Sequence, residues 1–421
     1  MKRVILLILD GLGIGAMDDL KEQQRLQDQA ADTLGNVLKS NKDLKLNNLN
    51  QLGLEAAYNL SRLDPSFPKS TLEMDPEQRN LTENGSEKQK LKAAYTYAAL
   101  SYDGADTFMG HQEIMGSSPT HPKIQPFKVV HQKVKTALEN EGHKVSVPDQ
   151  ENPYLLVDRR VVVADNIEAD YGQIYNVSGS LEEIDFEEIL AIGKIVRASV
   201  KVSRVIALGG KNTSTERIVN SIENANSEIT GVNSTASGVY GEGYQVIHLG
   251  YGIDHQKQIT SILAGQGIDV RLIGKVQDVI YCPEARKSLP AVATEEVLEL
   301  MQQEMEEADS GLIAVNVQET DLAGHQQDPA EFARVLKMVD QQIPEIIDNL
   351  REDDLFIITA DHGDDPTVGH SHHTRENVPL LVYKKDLPAK VLPPRESLAD
   401  IAAAIADYFE VRAPESGESF L

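Results

Sequence analysis

The sequence has 421 residues, with 40 Lys or Arg against 66 Asp or Glu, so its formal net charge is −26. This length predicts about two to three domains, and a field of this sign disfavours nucleic-acid backbones and anionic membrane surfaces as partners. The single cysteine, Cys282, excludes an intrachain disulfide and a cluster of thiolate metal ligands.

The N-terminal segment contains a short apolar run, Val4–Leu9, which Asp10 interrupts. The run is shorter than the apolar region of a signal peptide, which has about 7–15 residues. No stretch of the chain approaches the roughly 20 apolar residues of a transmembrane helix. We therefore expect a cytoplasmic protein.

Short apolar runs alternate with amphipathic stretches along most of the chain. The runs are Val4–Leu9, Val246–Leu249, Val270–Ile273, Leu312–Val317, Leu355–Thr359 and Leu380–Tyr383. Nearly continuous runs of this length are typical of strands that are buried on both faces, hence of a mostly parallel sheet covered by helices. Asp328 and Pro329 mark the start of an amphipathic helix. The alternation predicts an α/β fold.

Two regions differ from this pattern. Residues 118–242 contain a smaller α/β pattern of their own, so we expect an inserted domain there and a core built from residues 1–117 and 243–421. Residues 64–90 hold few apolar side chains and predict an exposed loop.

Acidic and histidine residues follow several of the apolar runs. They are Asp10, Asp321, His325, Asp361, His362 and, shortly afterwards, His373. In open α/β sheets the ligand site lies outside the carboxyl ends of the strands, so these side chains should converge there. Asp and His together bind Mn²⁺, Zn²⁺ or Fe, and the lack of thiolates favours the harder ions. A lone Asp at a strand end often only caps the next helix, and His370 and His372 fit solvated loop positions.

Thr107 begins the segment TFMGHQE after Asp106, at the start of a predicted helix. One interpretation makes Thr107 the N-cap, whose hydroxyl accepts a backbone N–H. The other makes it a nucleophile in an anion-favouring field, activated by metal coordination. The residues alone leave both open.

These motifs occur in the order found in the alkaline phosphatase superfamily. The segments DTFMGHQE (106–113), ADHGDDP (360–366) and HHTRENVP (372–379) most closely resemble those of phosphopentomutases. The resemblance covers nearly the whole chain. It implies a doubly wound, alkaline phosphatase-like core that is interrupted by an α/β cap domain at residues 118–242.

The resemblance also implies a site with two divalent ions, of which Mn²⁺ is the usual choice. The implied ligands of one ion are Asp10, Asp361 and His362, and those of the other are Asp321, His325 and His373. Thr107 would bridge the ions and become phosphorylated. The implied reaction interconverts ribose or deoxyribose 1-phosphate and 5-phosphate through a bisphosphate sugar, which also acts as activator. A small phosphorylated sugar is thus the expected partner, with implied contacts from Asp170, Lys275 and Arg375.

The chain departs from the family pattern in several places. Gly11 replaces a Ser or Thr, Asp321 and His325 are four residues apart where five is usual, and Gln326-Gln327 replaces a basic pair. Leu208 stands where the family has an arginine that contacts phosphate. Two alternatives therefore stay open: a phosphatase or mutase of the same superfamily that acts on another phosphosugar, and a metal-binding scaffold without catalysis.

The substitution at Leu208 leads to a testable expectation. Loss of a charged hydrogen bond costs about 1.5–3 kcal/mol, so the KM for ribose 5-phosphate should be high unless Lys211 or Arg204 reaches the same phosphate. Leu208→Arg should then raise kcat/KM for pentose phosphates without changing the metal content. A wild-type KM in the ordinary micromolar range would contradict this expectation.

Overall fold

A computed structural model describes residues 2–62, 91–118, 121–168 and 171–421 of the chain. The chain divides into two compact units, the first formed by Met1–Pro119 and Asp254–Leu421 and the second by Thr120–Ile253. The loop predicted for residues 64–90 lies outside the described residues. Within the described part of the chain, no helix has the length and apolar character needed to span a membrane.

The strands are listed here in chain order. They are β1 (Arg3–Leu9), β2 (Ala94–Ala98), β3 (Val145–Ser146), β4 (Leu155–Val157), β5 (Val161–Asp165), β6 (Ile174–Ser180), β7 (Arg204–Gly210), β8 (Ile222–Asn224), β9 (Thr230–Val232), β10 (Gln245–Gly250), β11 (Val270–Ile273), β12 (Lys287–Leu289), β13 (Gly311–Val317), β14 (Asp354–Thr359) and β15 (Val378–Tyr383).

The α-helices follow the same order. They are α1 (Thr33–Ser40), α2 (Asn47–Gln51), α3 (Leu54–Ser61), α4 (Thr107–Ile114), α5 (Phe127–Asn140), α6 (Phe186–Ser199), α7 (Thr215–Asn220), α8 (Ser234–Ser237), α9 (Ile259–Gly265), α10 (Val276–Val279), α11 (Thr294–Glu307), α12 (Glu319–His325), α13 (Pro329–Asn349) and α14 (Ala399–Phe409).

The sheet of the first unit has the strand order β12-β11-β13-β1-β14-β15-β2. Strand β1 pairs in parallel with both β13 and β14, and β11 pairs in parallel with β12 and β13. Only β15 runs against its neighbours. Every residue of β1, β13 and β14 is buried, as the continuous apolar runs predict for central parallel strands. The predicted α/β class with a mostly parallel sheet is confirmed.

The long helix α13 begins as the sequence predicts. The Asp328 carboxylate accepts the backbone N–H groups of Ala330 and Glu331, both at 3.0 Å, and Pro329 occupies the first helical position. This arrangement satisfies donors that a helix start otherwise leaves open. The apolar stripe of the helix is buried.

The second unit has its own sheet, in the order β10-β7-β6-β5-β4-β3. The run Val246–Leu249, which the sequence analysis assigns to the core, lies in β10 and pairs antiparallel with β7 of this second sheet. Strand β10 is an edge strand and is mostly half-exposed, unlike the central strands of the first unit. The second unit therefore extends beyond residue 242, because a short apolar run does not specify which sheet it joins.

Leu208 lies in β7 and is 1% exposed. It belongs to an apolar cluster with Ile206, Ile218 and Val239, among others. An arginine here would place a charged group among hydrocarbon side chains. The expectation that Leu208→Arg restores a phosphate contact is therefore overturned, because the side chain at this position packs inside the unit.

We instead predict that Leu208→Arg destabilises the protein by about 3 kcal/mol or more, because it buries an unpaired charge. Leu208→Met, which conserves volume, should cost less than about 1.5 kcal/mol. Urea unfolding of the two variants and the wild type gives both differences. A Leu208→Arg protein of wild-type stability would contradict this assignment.

Candidate functional site

Three buried aspartates follow three adjacent strands of the first sheet. Asp10 comes directly after β1, Asp361 shortly after β14, and Asp321 lies in helix α12, which follows β13. The register aligns the ends of these strands, since Leu9 pairs with Val317 and Ile8 with Thr359. The parallel arrangement therefore brings the three carboxylates to one edge of the sheet, as predicted.

Thr107 is the first residue of helix α4, and Asp106 is its N-cap. The Asp106 carboxylate accepts the N–H of Met109 at 2.9 Å. The N-cap interpretation of Thr107 is thus wrong, and its hydroxyl instead donates to Oδ2 of Asp361 at 2.8 Å. A Cβ atom at Gly110 would lie 2.4 Å from the carbonyl oxygen of Asp361, so glycine is needed for the helix to approach this closely.

His111 is a site residue that the sequence analysis did not assign. Its Nδ1 lies 2.8 Å from the carbonyl oxygen of Thr107 and 3.1 Å from Oδ2 of Asp361. The Asn316 amide lies 3.1 Å from Nε2 and donates to it when the Nδ1 proton faces Thr107. Burial is the largest influence on the pKa of His111 and lowers it, but the charge of Asp361, the hydrogen bond to Asp361 and the charge of Asp10 together leave this pKa raised. The sequence feature that could have indicated His111 is its position four residues after Thr107, because this spacing places both side chains on one helix face.

His362 joins Asp10 and Asp361. Its Nε2 lies 3.5 Å from Oδ1 of Asp10 and 3.3 Å from Oδ2 of Asp361. Its Nδ1 lies 2.9 Å from the carbonyl oxygen of Gly363. Because a carbonyl oxygen only accepts, Nδ1 carries the proton there, and Nε2 keeps the lone pair that a metal ion can bind. The backbone N–H of Gly11 donates to the other Asp361 oxygen at 3.2 Å. These residues form the first cluster.

Asp321, His325 and His373 form the second cluster. Nε2 of His373 lies 3.2 Å from Oδ1 of Asp321 and 3.1 Å from Nε2 of His325. Nδ1 of His325 lies 2.8 Å from the carbonyl oxygen of Ser371, so that its Nε2 is directed at His373. The rings of His362 and His373 are stacked with centroids 4.0 Å apart, which connects the two clusters.

Asp364 also lies in the second cluster, although the sequence analysis did not assign it. One donor atom from each of Asp321, His325, His373 and Asp364 lies within 4.8 Å of the other three. Burial and the charges of Asp321 and Asp10 raise the pKa of Asp364 to about 9. The sequence feature that could have indicated Asp364 as a site residue is its place directly after the Asp361-His362-Gly363 motif.

Lys275 is directed into the same site. Its ammonium lies 2.9 Å from Oδ2 of Asp10 and 2.9 Å from Oδ2 of Asp321. Burial and the charge of Asp361 raise the pKa of Asp10 to about 7. Burial also acts to raise the pKa of Asp361, but the charges of His362 and His111 hold it well below its usual range. One ammonium therefore faces three buried carboxylates, and the site favours further cations.

The donor atoms fit divalent metal ions. Oδ1 of Asp10 and Nε2 of His362 are buried, and neither atom has a hydrogen-bond partner among the described residues. Buried polar atoms without partners are costly, and binding a cation removes that cost. The described donors are carboxylate oxygens and imidazole nitrogens, a set that suits Mn²⁺ and Zn²⁺.

The residues predicted to contact the substrate have different positions. Lys275 is in the site, whereas Asp170 lies outside the described residues. Arg375 is buried, and its guanidinium binds Asp19 with two bonds, at 2.8 and 2.7 Å. It also donates to the carbonyl oxygens of Leu100, Tyr102 and Gly104. All five N–H donors of the Arg375 guanidinium are therefore hydrogen-bonded inside the protein. Three of these bonds hold the segment that precedes Thr107.

The fold and the Asp–His clusters are those of a metalloenzyme, and a family model agrees. The model of the Metalloenzyme superfamily matches residues 2–413, and the chain belongs to this superfamily.

The chain is also similar to individual proteins along its whole length. The chain is 28% identical to the phosphopentomutase of Alkaliphilus oremlandii, an alignment that covers all of this chain and 98% of the relative. It is 29% identical to the phosphopentomutase of Caldanaerobacter subterraneus subsp. tengcongensis, again over all of this chain and 98% of the relative. A structure of Leishmania mexicana phosphoglycerate mutase matches with a TM-score of 0.44 and 12% identity, over 100% of this chain and 97% of that one. The resemblance found in the motifs is confirmed, and the chain is a phosphopentomutase-like enzyme.

The contacts of Arg375 generate a prediction about local stability. Arg375→Met should loosen the segment before Thr107, because it removes charged hydrogen bonds worth about 1.5–3 kcal/mol each. We expect amide exchange in residues 100–106 to accelerate by about tenfold or more, measured by mass spectrometry. Arg395→Met removes a different arginine of the same unit and should leave exchange in this segment unchanged. Equal exchange in the Arg375→Met and wild-type proteins would contradict the assigned role.

Proposed function

We propose that this chain is a metal-dependent phosphomutase that interconverts ribose or deoxyribose 1-phosphate and 5-phosphate. The observation that carries the proposal is the Thr107 hydroxyl, which donates to Asp361 of the first Asp–His cluster at 2.8 Å. The full-length similarity to phosphopentomutases supports the substrate class. The expected partner is a small phosphorylated sugar.

The two clusters are the proposed metal ligands. One ion would be held by Asp10, Asp361 and His362 together with Thr107, and the other by Asp321, His325 and His373. When bound, two divalent ions, for which we propose Mn²⁺, neutralise the phosphoryl group and stabilise its attacking and leaving oxygens. This local charge offsets the repulsion that a phosphate would meet in a protein of net charge −26.

The chain's own groups handle the proton and the nucleophile. Asp361 accepts the hydrogen bond of the Thr107 hydroxyl at 2.8 Å, so it is the nearest acceptor for the proton that the hydroxyl loses. The Thr107 Oγ1–phosphorus bond forms as the bond from phosphorus to the sugar oxygen breaks, and that oxygen takes up a proton. In the reverse sense a second sugar hydroxyl attacks the phosphothreonine and gives its proton to the site. A bisphosphate sugar is the intermediate and activator.

A substrate other than a pentose phosphate is the second candidate. The specific observation is that Leu208 packs in an apolar cluster, so this position of β7 supplies no cation for a phosphate. Lys275 is the proposed phosphate contact in the first unit, and a sugar contact from Asp170 stays a prediction. A phosphatase or mutase for another phosphosugar would keep every metal ligand and Thr107.

One assay separates the candidates. The Mn²⁺-loaded chain is incubated with ribose 1-phosphate and a bisphosphate primer, and ribose 5-phosphate and free phosphate are measured in parallel. A mutase forms ribose 5-phosphate without releasing phosphate, and a phosphatase releases phosphate. A non-catalytic scaffold does neither. Failure of isomerisation with metal loaded would contradict the pentose phosphomutase proposal.

The nucleophile is tested at Thr107. Thr107→Ala should fold and retain most metal affinity but lose turnover by about 10³-fold or more, because the group that receives the phosphoryl is gone. Thr107→Ser retains a hydroxyl and should keep measurable activity. Intact-mass analysis after treatment with the bisphosphate sugar should show a phosphoryl adduct on the wild type and on Thr107→Ser. An adduct on Thr107→Ala would identify another nucleophile.

The ligand sets are tested by removing one member of each. Asp361→Ala and His373→Ala should each lose one of two Mn²⁺ equivalents and abolish turnover, because each removes a ligand of a different ion. His372→Ala is the matched control, since this neighbouring histidine is exposed and lies outside both clusters. Calorimetric titration of the metal-free proteins gives the stoichiometry. Two equivalents of wild-type affinity in either test variant would refute the assignment.

A further inference from the structure

Asp364 is a fully buried carboxylate that lies beside the second cluster. Neither of its carboxylate oxygens accepts a hydrogen bond from the described part of the chain. Nδ1 of His325 lies 3.5 Å from its Oδ2. The backbone is fixed, because the N–H of Asp364 donates to the carbonyl oxygen of Gly11 at 2.8 Å. An ionised carboxylate in such a place destabilises the fold unless a cation binds it.

The space for this side chain is provided by two glycines. A Cβ atom at Gly324 would lie 2.4 Å from Oδ2 of Asp364, and one at Gly11 would lie 3.0 Å from its Cβ atom. Gly324 directly precedes His325, a member of the second cluster. The backbone therefore leaves room for a carboxylate beside the three donors of that cluster.

We propose that Asp364 is a fourth ligand of the second metal ion, beside Asp321, His325 and His373. An alternative task, holding the His325 ring in place, is already performed by Ser371, whose carbonyl oxygen lies 2.8 Å from Nδ1 of His325. Both carboxylate oxygens of Asp364 lack hydrogen-bond partners among the residues that the structure describes. The inference rests on the two-ion site of the proposed function, and it adds a ligand together with a preference among ions.

With a fourth protein ligand, the coordination number of the bound ion decides whether a position remains for substrate or water. Zn²⁺ is tetrahedral when bound by four protein ligands, and such sites are closed. Mn²⁺ takes octahedral geometry, so four protein ligands leave two positions for substrate oxygens or water. Asp364 therefore makes the second site one that suits a six-coordinate ion.

The test is metal binding by the full-length chain, measured without turnover. Asp364→Asn should weaken one of the two Mn²⁺ equivalents by about 10–100-fold and leave the other unchanged. The metal-free variant should have a higher Tm than the metal-free wild type, because it no longer buries an unpaired carboxylate. Asp364→Ser, which also removes the charge, should lower the Mn²⁺ affinity of that site more than its Zn²⁺ affinity.

Asp365→Asn is the matched control. Asp365 is the next residue and is equally buried, but its carboxylate accepts hydrogen bonds from Asp32, Asn36 and Thr367. Its substitution should lower the Tm and retain both Mn²⁺ equivalents. Two wild-type Mn²⁺ affinities in Asp364→Asn, or equal weakening of both, would overturn the inference. Because binding is measured directly, an inactive chain that binds as expected contradicts only the proposed reaction.

Discussion

The concentration of buried carboxylates at the ends of β13, β1 and β14 is the constraint on which the site depends. Like charges at this separation and burial destabilise a fold unless cations or donors offset them. Lys275 bridges two of the carboxylates, and His111 and the N–H of Gly11 contact the third. The same excess of negative charge makes this edge of the sheet suitable for binding divalent ions. Stability and metal binding are therefore linked through the same atoms.

The position of Thr107 depends on anchors at both ends of helix α4. Arg375 holds the carbonyl oxygens of the preceding segment, and the buried Glu113 carboxylate accepts hydrogen bonds from Ser101 and from the N–H of Leu398. Gly110 lets the helix backbone come close to Asp361. The proposed role of Thr107 as a nucleophile requires a precise position, and these contacts include backbone groups, which hold position better than mobile side chains.

The second unit is stabilised on both faces of its sheet. One face packs against α5 and α6, and the other contains the cluster around Leu208. The replacement of a family arginine by Leu208 thereby becomes a matter of packing within this unit. It adds apolar surface to a core instead of leaving a gap in a binding site. Under the proposed function, discrimination between phosphosugars falls to other residues.

The sequence by itself determined the central strands, the strand-end aspartates and histidines, and the start of α13. Each depends on a local pattern: a continuous apolar run, an acid directly after it, or an Asp-Pro cap. Only the tertiary structure decided that β10 belongs to the second sheet, that Arg375 donates hydrogen bonds to carbonyl oxygens, and that Asp364 lies beside His325. Those outcomes depend on which distant segments meet, because a side chain's pairing and burial are set by neighbours that sequence spacing does not specify.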